Sequence, residues 1–283
     1  MPDPLPTCRA TNAWGQDMGT DDAATMGLID SHAHLTFPQL RDRVDEVLLR
    51  CREAGVEQVV SVGTDLADAT AALALTRQHA GQVFAAIGFH PHEAQKVTDE
   101  HLHAMARLWD DTHVVAVGEM GLDYHYDFSP RETQRRVFRA QLELAKAVNK
   151  PVVIHAREAF EDTVALLVEQ GYRDQGVVFH CFTGTADEAE VIAQHGWRIS
   201  FTGIVTFKNS RALQQIAKAY PAEKMMVETD SPYLSPVPLR SQRPCEPSFV
   251  AHTARFLADL RGVPYDQLVE ETARNTRAFF GIG

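Results

Sequence analysis

Six residues of this chain have the side chains that hold metal ions: His32, His34, Glu119, His155, His180 and Asp230. Imidazole nitrogens and carboxylate oxygens bind divalent transition metals, and a metal so held activates water for hydrolysis. Four imidazoles and two carboxylates exceed the needs of one catalytic zinc, which takes three protein ligands and keeps an open position. The set suits two divalent metal ions, with Glu119 central enough to bridge them. A lone His-x-His, or a lone histidine closing a strand, is more often surface or packing than ligand. These six, however, share one position.

Each lies at the end of a short apolar run. The runs cover residues 28–35, 58–63, 83–88, 113–119, 151–155, 177–182, 197–202 and 225–230. The first ends Asp30-Ser31-His32-Ala33-His34, and residues i and i+2 of a strand share a face, so both imidazoles can point the same way. Between the runs the apolar residues take helical spacing, as in Val44, Val47, Leu48, Cys51 or Phe138, Leu142, Ala145. Continuously apolar strands are what a parallel sheet covered by helices requires. Eight such units in about 255 residues have the size and count of a (β/α)8 TIM barrel, an α/β single domain spanning residues 26–283. In a barrel the strand C-termini meet at one mouth, and strand 8 lies beside strand 1, bringing Asp230 towards His32 and His34. A doubly wound open sheet gives no reason for that coincidence, and the chain has no Gly-rich phosphate loop.

Other chemistries lack their signatures. There is no Gly-x-Ser-x-Gly elbow and no His-Glu-x-x-His. Cys181 follows His180 directly, so strand alternation sends its thiol towards the helix layer, and Cys51 belongs to a helical apolar stripe. With Cys8 and Cys245 they form no Cys-x-x-Cys and read as free thiols of a reducing cytosol, hence a cytoplasmic protein. Residues 1–25 read as a mobile extension without signal-peptide features, and Met1 and Met26 are both candidate starts. The longest stretch free of Asp, Glu, Lys and Arg, residues 78–92, is too short for a membrane span.

Taken together, the motifs resemble the TatD family of metal-dependent deoxyribonucleases, within the amidohydrolase-like barrels. The stretches that carry the resemblance are Asp30-Ser31-His32-Ala33-His34-Leu35, Gly88-Phe89-His90-Pro91-His92, Gly118-Glu119-Met120-Gly121-Leu122-Asp123-Tyr124, Pro151-Val152-Val153-Ile154-His155-Ala156-Arg157, His180-Cys181-Phe182-Thr183-Gly184 and Glu228-Thr229-Asp230-Ser231-Pro232-Tyr233-Leu234. It covers about residues 27–283. The resemblance implies two divalent metals on His32, His34, Glu119, His155, His180 and Asp230, with Mg or Mn for turnover and Zn or another transition metal able to co-purify. It also implies hydrolysis of phosphodiester bonds from a DNA 3′ end, single-stranded or frayed. One departure falls after strand 8. Where the family has Arg-Gly-Lys and then Asn-Glu-Pro, this chain reads Arg240-Ser241-Gln242-Arg243-Pro244-Cys245-Glu246-Pro247.

In the mechanism expected from these residues, Asp230 orients the attacking water and takes its proton. His90 contacts phosphate or the leaving group, and Glu228 holds a ligating histidine. Arg157, Lys208 and Arg211 are candidates for phosphate binding, and Tyr124, Phe182 and Tyr233 for stacking a base. The competing reading is an amidohydrolase-type barrel cleaving a small ester, lactone or amide, or an aminoacyl-tRNA ester. A non-catalytic barrel acting as a scaffold fits poorly with a complete ligand set. No membrane and no obligate protein partner is expected. The net charge of −11, from 27 Lys+Arg against 38 Asp+Glu, disfavours wrapping a duplex backbone. Two divalent ions would lower it to about −7 and place positive charge at the mouth, which suits a strand end.

Overall fold

Residues 27–173 and 176–283 are described by a computed structural model of the chain. The expected N-terminal extension, both candidate starts and Cys8 lie outside them. The eight apolar runs form strands β1 (Leu28–Ala33), β2 (Val56–Gly63), β3 (Val83–Ile87), β4 (Val114–Asp123), β5 (Val152–Arg157), β6 (Val177–Phe179), β7 (Arg198–Phe201) and β8 (Met225–Val227). The helices are α1 (Val44–Glu53), α2 (Leu66–Gln78), α3 (Asp99–Leu108), α4 (Arg131–Ala147), α5 (Phe160–Glu169), α6 (Ala186–Gln194), α7 (Arg211–Ala219), α8 (Val250–Arg261) and α9 (Tyr265–Phe280). Each strand pairs in parallel with its successor, in the order β1 to β8. The seam between the last and first strands closes through an Ala33–Ser231 bridge. Two hydrogen bonds seal it, from Asp230 N to His32 O (2.9 Å) and from His34 N to Ser231 O (2.7 Å). The fold is the expected (β/α)8 barrel.

Its core has two parts. One lies between strands and helices, where β4 is buried along its whole length and α1 buries Val44, Val47, Leu48 and Cys51. The other fills the barrel itself. There Ile29, Val60, Val62, Val153, Val178 and Met226 pack with Phe279, Phe280 and Ile282 of the C-terminal segment, closing the end away from the strand C-termini. Helix ends follow local rules. Thr98 and Thr185 each form a capping box at the start of α3 and α6, and Gly262 ends α8 in the left-handed conformation.

β6 and β8 each end three residues before their apolar runs, at Phe179 and Val227, and beyond them Cys181 (φ 45°) and Asp230 (φ 58°) adopt left-handed backbone that breaks the two-residue alternation. The thiol of Cys181 therefore does not enter the helix layer, as alternation implied. It lines the cavity at the mouth, 3.7 Å from the Thr202 hydroxyl. Cys51 and Cys245 are fully buried, and burial pushes both thiols up to about 12. A C8S/C181S variant should accordingly show no rapidly reacting thiol towards an aromatic disulfide reagent when folded and two once unfolded. Labelling of either faster than unfolding would contradict this packing.

Candidate metal centre

Glu119 reaches the centre of the mouth through an irregularity in β4. Gly118 and Gly121 have φ of 137° and 146°, and a Cβ on either would run into the carbonyl oxygen of Val153 or His155. Only glycine lets β4 lie this close to β5. The β4–β5 register shifts between Val117 and Met120, and the side chain of Glu119 enters the barrel, where the residue is 2% exposed.

Its two oxygens face different groups. Oε2 has His32 Nε2 at 3.4 Å and His34 Nε2 at 3.8 Å, and Asp230 Oδ1 lies 3.4 Å from His34 Nε2 and 3.9 Å from His32 Nε2. Oε1 has His180 Nε2 at 2.6 Å, His155 Nδ1 at 2.7 Å and His90 Nε2 at 3.4 Å. The donor atoms of His32, His34 and Asp230 lie within 4.8 Å of one another, as do those of His32, Glu119 and His180 and those of His90, Glu119 and His155. The structure thus brings all six expected donors together, with His90 beside them.

The arrangement fits cations. Both ring nitrogens of His32 are buried without a hydrogen-bond partner, as is Nδ1 of His34, and such atoms are costly unless something binds them. Donors about 2.1 Å from one cation sit about 3.0–3.5 Å apart, close to the 3.4–3.9 Å seen around His32 and His34. Electrostatics agree. Burial alone would push Glu119 up, but His180 and His90, with His155, hold it well below the usual carboxylate range. Burial lowers His180, yet Glu119 and Glu228 carry it well above an ordinary histidine. Burial takes His90 down to about 4.

A second ring of groups aims the donors. Asp123 Oδ2 accepts from His155 Nε2 (3.1 Å) and His92 Nε2 (2.9 Å), which leaves Nδ1 of His155 to face Glu119. Glu228 lies 3.4 Å from His180 Nδ1 and accepts from Cys181 N (2.7 Å) and the Ser200 hydroxyl. Asp30 is fully buried and accepts from Thr229 N (2.9 Å) and Thr229 Oγ1 (2.6 Å), tying the Asp230 turn to β1. Gln141 clamps Phe89 through both N–H and C=O, fixing the backbone next to His90. Sequence reasoning quoted Asp30, Asp123 and His92 within motifs but gave them no role. It missed Gln141. The signal for Asp123 was its place at the end of a strand already known to carry Glu119.

The other sequence candidates divide. Arg157 lines the cavity over the donors, about 670 Å³ in volume, with its guanidinium 4.6 Å over the Tyr126 ring. Tyr124 lines a neighbouring cleft and donates its hydroxyl to Asp162 at 2.6 Å. Lys208 and Arg211 are exposed and line neither space. Phe182 is buried, whereas Tyr233 is half-exposed on the cavity wall. In the loop that departs from the family pattern, Glu246 pairs with Arg43 (2.8 Å) and Arg50 (2.6 Å) of the α1 region, and Arg240 stacks on Phe207 at 3.5 Å. That loop braces the barrel and does not line the cavity.

A family model described as "TatD related DNase" matches residues 29–281. The chain belongs to the TatD family. Among TatD-type relatives, it is 40% identical to "Uncharacterized metal-dependent hydrolase YabD" of Bacillus subtilis (strain 168), over 90% of this chain and 99% of that one. It is 37% identical to the "3'-5' ssDNA/RNA exonuclease TatD" of Erwinia amylovora, over 90% of this chain and 100% of that one. The solved structure of the TatD homologue YJJV from Escherichia coli K12 superimposes with a TM-score of 0.85 at 28% identity, covering 90% of this chain and 98% of that one. The chain is therefore a metal-dependent hydrolase of the TatD type, and its donor cluster is a candidate metal centre of such a barrel. No helix among the described residues is long and apolar enough to cross a membrane.

If the second ring aims the donors, then Glu228→Gln or Asp123→Asn should weaken metal binding about 10–100-fold with the fold intact. Calorimetric titration with Mn2+ or Zn2+, alongside circular dichroism, measures both. Unchanged affinity in both variants would refute the assignment.

Proposed function

We propose that this TatD-family hydrolase removes nucleotides from the 3′ end of single-stranded DNA, with two divalent cations that His32, His34, Glu119, His155, His180 and Asp230 would hold. The observation that carries the reading is the partition of donors around one buried carboxylate, His32, His34 and Asp230 on one side and His155 and His180 on the other, beneath an open cavity. The name of the Erwinia relative supports the 3′ end and the single strand. Divalent cations held by these residues would supply Lewis-acid polarisation of the phosphodiester and a water of lowered pKa. Ligand types admit Zn or Mn, with Mg or Mn the proposed ions for turnover.

The remaining roles belong to the chain. Asp230 stands at the cavity wall with its carboxylate against His34, held by Asp230 N to His32 O, and it orients the water and accepts its proton. His90 Nδ1 accepts from His92 N at 3.2 Å, so Nε2, 3.4 Å from Glu119 Oε1, carries the proton, and from the cavity wall it would be offered to phosphate or the leaving oxygen. Arg157 supplies fixed positive charge on the cavity wall. The acidic body of the protein, −11 overall, disfavours long duplex contacts and leaves a strand end as the substrate.

Metal-reconstituted protein incubated with 5′-labelled single-stranded DNA should give a ladder of stepwise shorter products, whereas a 3′ label should leave at once as a mononucleotide. His155→Ala and Asp230→Asn should each slow this by about 100-fold or more. Turnover of an ester and lactone panel without phosphodiester cleavage would overturn the nuclease reading.

A further inference from the structure

Among the described residues, five large hydrophobic side chains are exposed, and the three aromatic ones, Tyr126, Phe128 and Tyr233, all line the cavity over the metal donors. Scattered exposed apolar residues need no explanation, but a set gathered at one mouth does. Tyr126 and Phe128 lie parallel, ring centroids 5.4 Å apart and 16° between planes. They are 48% and 64% exposed. His92 meets both rings edge-on, and the Arg157 guanidinium covers one face of Tyr126.

We propose that Tyr126 and Phe128 form a stacking platform for an unpaired base next to the bond that is cut, and that this platform makes the enzyme selective for single strands. The proposal rests on the nuclease reading above and adds to it the groups that recognise the base. The decisive connection is Asp123. Its Oδ1 accepts from His125 N (3.0 Å) and Tyr126 N (2.9 Å), which fixes the turn carrying the platform. Its Oδ2 accepts from His155 Nε2 and His92 Nε2, which fixes a metal donor and the imidazole behind the two rings. One buried carboxylate therefore sets the distance between platform and scissile position.

The surroundings direct the strand to that side. The neighbouring cleft, between the loops after β5 and β6, is lined by Glu158, Glu161, Asp162 and Glu188 against one cation, Arg157, which it shares with the cavity, and this net negative charge disfavours a phosphodiester backbone. On the aromatic wall the carboxylates are paired or buried: Asp127 lies 3.7 Å from Arg131, Glu93 lies 2.6 Å from Lys96, and Asp123 is buried. Every base has a π-face, so stacking accepts any sequence, and it is worth about 5- to 150-fold per base. A base inside a duplex already has both faces covered and must first leave its stack. Sequence reading placed the stacking role on Tyr124, Phe182 and Tyr233, of which Tyr233 alone stands exposed at the cavity, across the mouth against Phe37.

The test compares wild-type holoenzyme with Y126A/F128A and Y126F on two 5′-labelled oligonucleotides. One ends in ordinary nucleotides and the other in two abasic tetrahydrofuran residues. The double variant should lose at least tenfold more kcat/KM on the base-bearing strand than on the abasic one, chiefly in KM, and Y126F should stay within about twofold of wild type. A 3′-terminal 2-aminopurine should be quenched by wild type on mixing, before turnover, and not by Y126A/F128A. Equal losses on both substrates, damage in Y126F equal to that in Y126A/F128A, or undiminished quenching by the double variant would each overturn the platform. Quenching by a wild-type enzyme that cleaves no nucleic acid would support the platform while removing the nuclease reading.

Discussion

A carboxylate in the interior of a barrel is stable only where cations or donated protons surround it, and that requirement organises this molecule around Glu119. Isolated and desolvated, the group would neutralise or unfold its surroundings. Here it lies between His32 and His34 on one side and His155, His180 and His90 on the other. Each imidazole comes from a different strand end or the same end of β1. The barrel is what makes the convergence possible, since only a closed sheet brings the ends of β1, β3, β4, β5 and β6 and the turn after β8 to one place. Closure and chemistry use the same atoms' neighbours. The seam hydrogen bonds run from the backbone of Asp230 and His34, so loss of the seam would disperse the donors as well.

Around this centre lies a ring of acidic and amide side chains that hold backbone as much as they hold imidazoles. Asp30 ties the Asp230 turn, Glu228 ties the Cys181 turn, Asp123 ties the Tyr126 turn, and Gln141 ties Phe89. In each case one group satisfies buried N–H donors that the strand ladder leaves unpaired where it ends. Cys181 and Asp230 show why such help is needed, for both hold left-handed backbone that a non-glycine residue adopts at a cost. The candidate metal centre is thus assembled on strained strand ends stabilised by their second ring.

The barrel and the meeting of the six donors were readable from sequence because both follow from strand-end position, a property of linear spacing. What spacing could not show was the backbone beyond those ends. Two-residue alternation sent Cys181 to the wrong side, since its φ of 45° ends the alternation. Lys208 and Arg211 seemed to belong to the mouth because they follow β7. The tight turn at Gly203–Thr206 intervenes, and Arg211 already begins α7 on the outside. Glu246 belongs to the loop that departs from the family pattern, and spacing gave no sign that two arginines claim it for the barrel wall. Tyr126 and Phe128 went unread because aromatic residues in a loop carry no period. The alternation of Asp123, His125 and Asp127 with Tyr124, Tyr126 and Phe128 was the available hint of a solvent-facing turn.

The acidic balance of the chain takes its meaning from the same centre, because the histidines gathered at the mouth give a negative body a candidate cation site. The central claim is that Glu119 divides two metal positions, and anomalous diffraction from crystals grown with Mn2+ tests it directly. The account predicts two peaks, one on each side of the Glu119 carboxylate, the first beside His32, His34 and Asp230 and the second beside His155 and His180. A single peak, or peaks out of contact with Glu119, would contradict it.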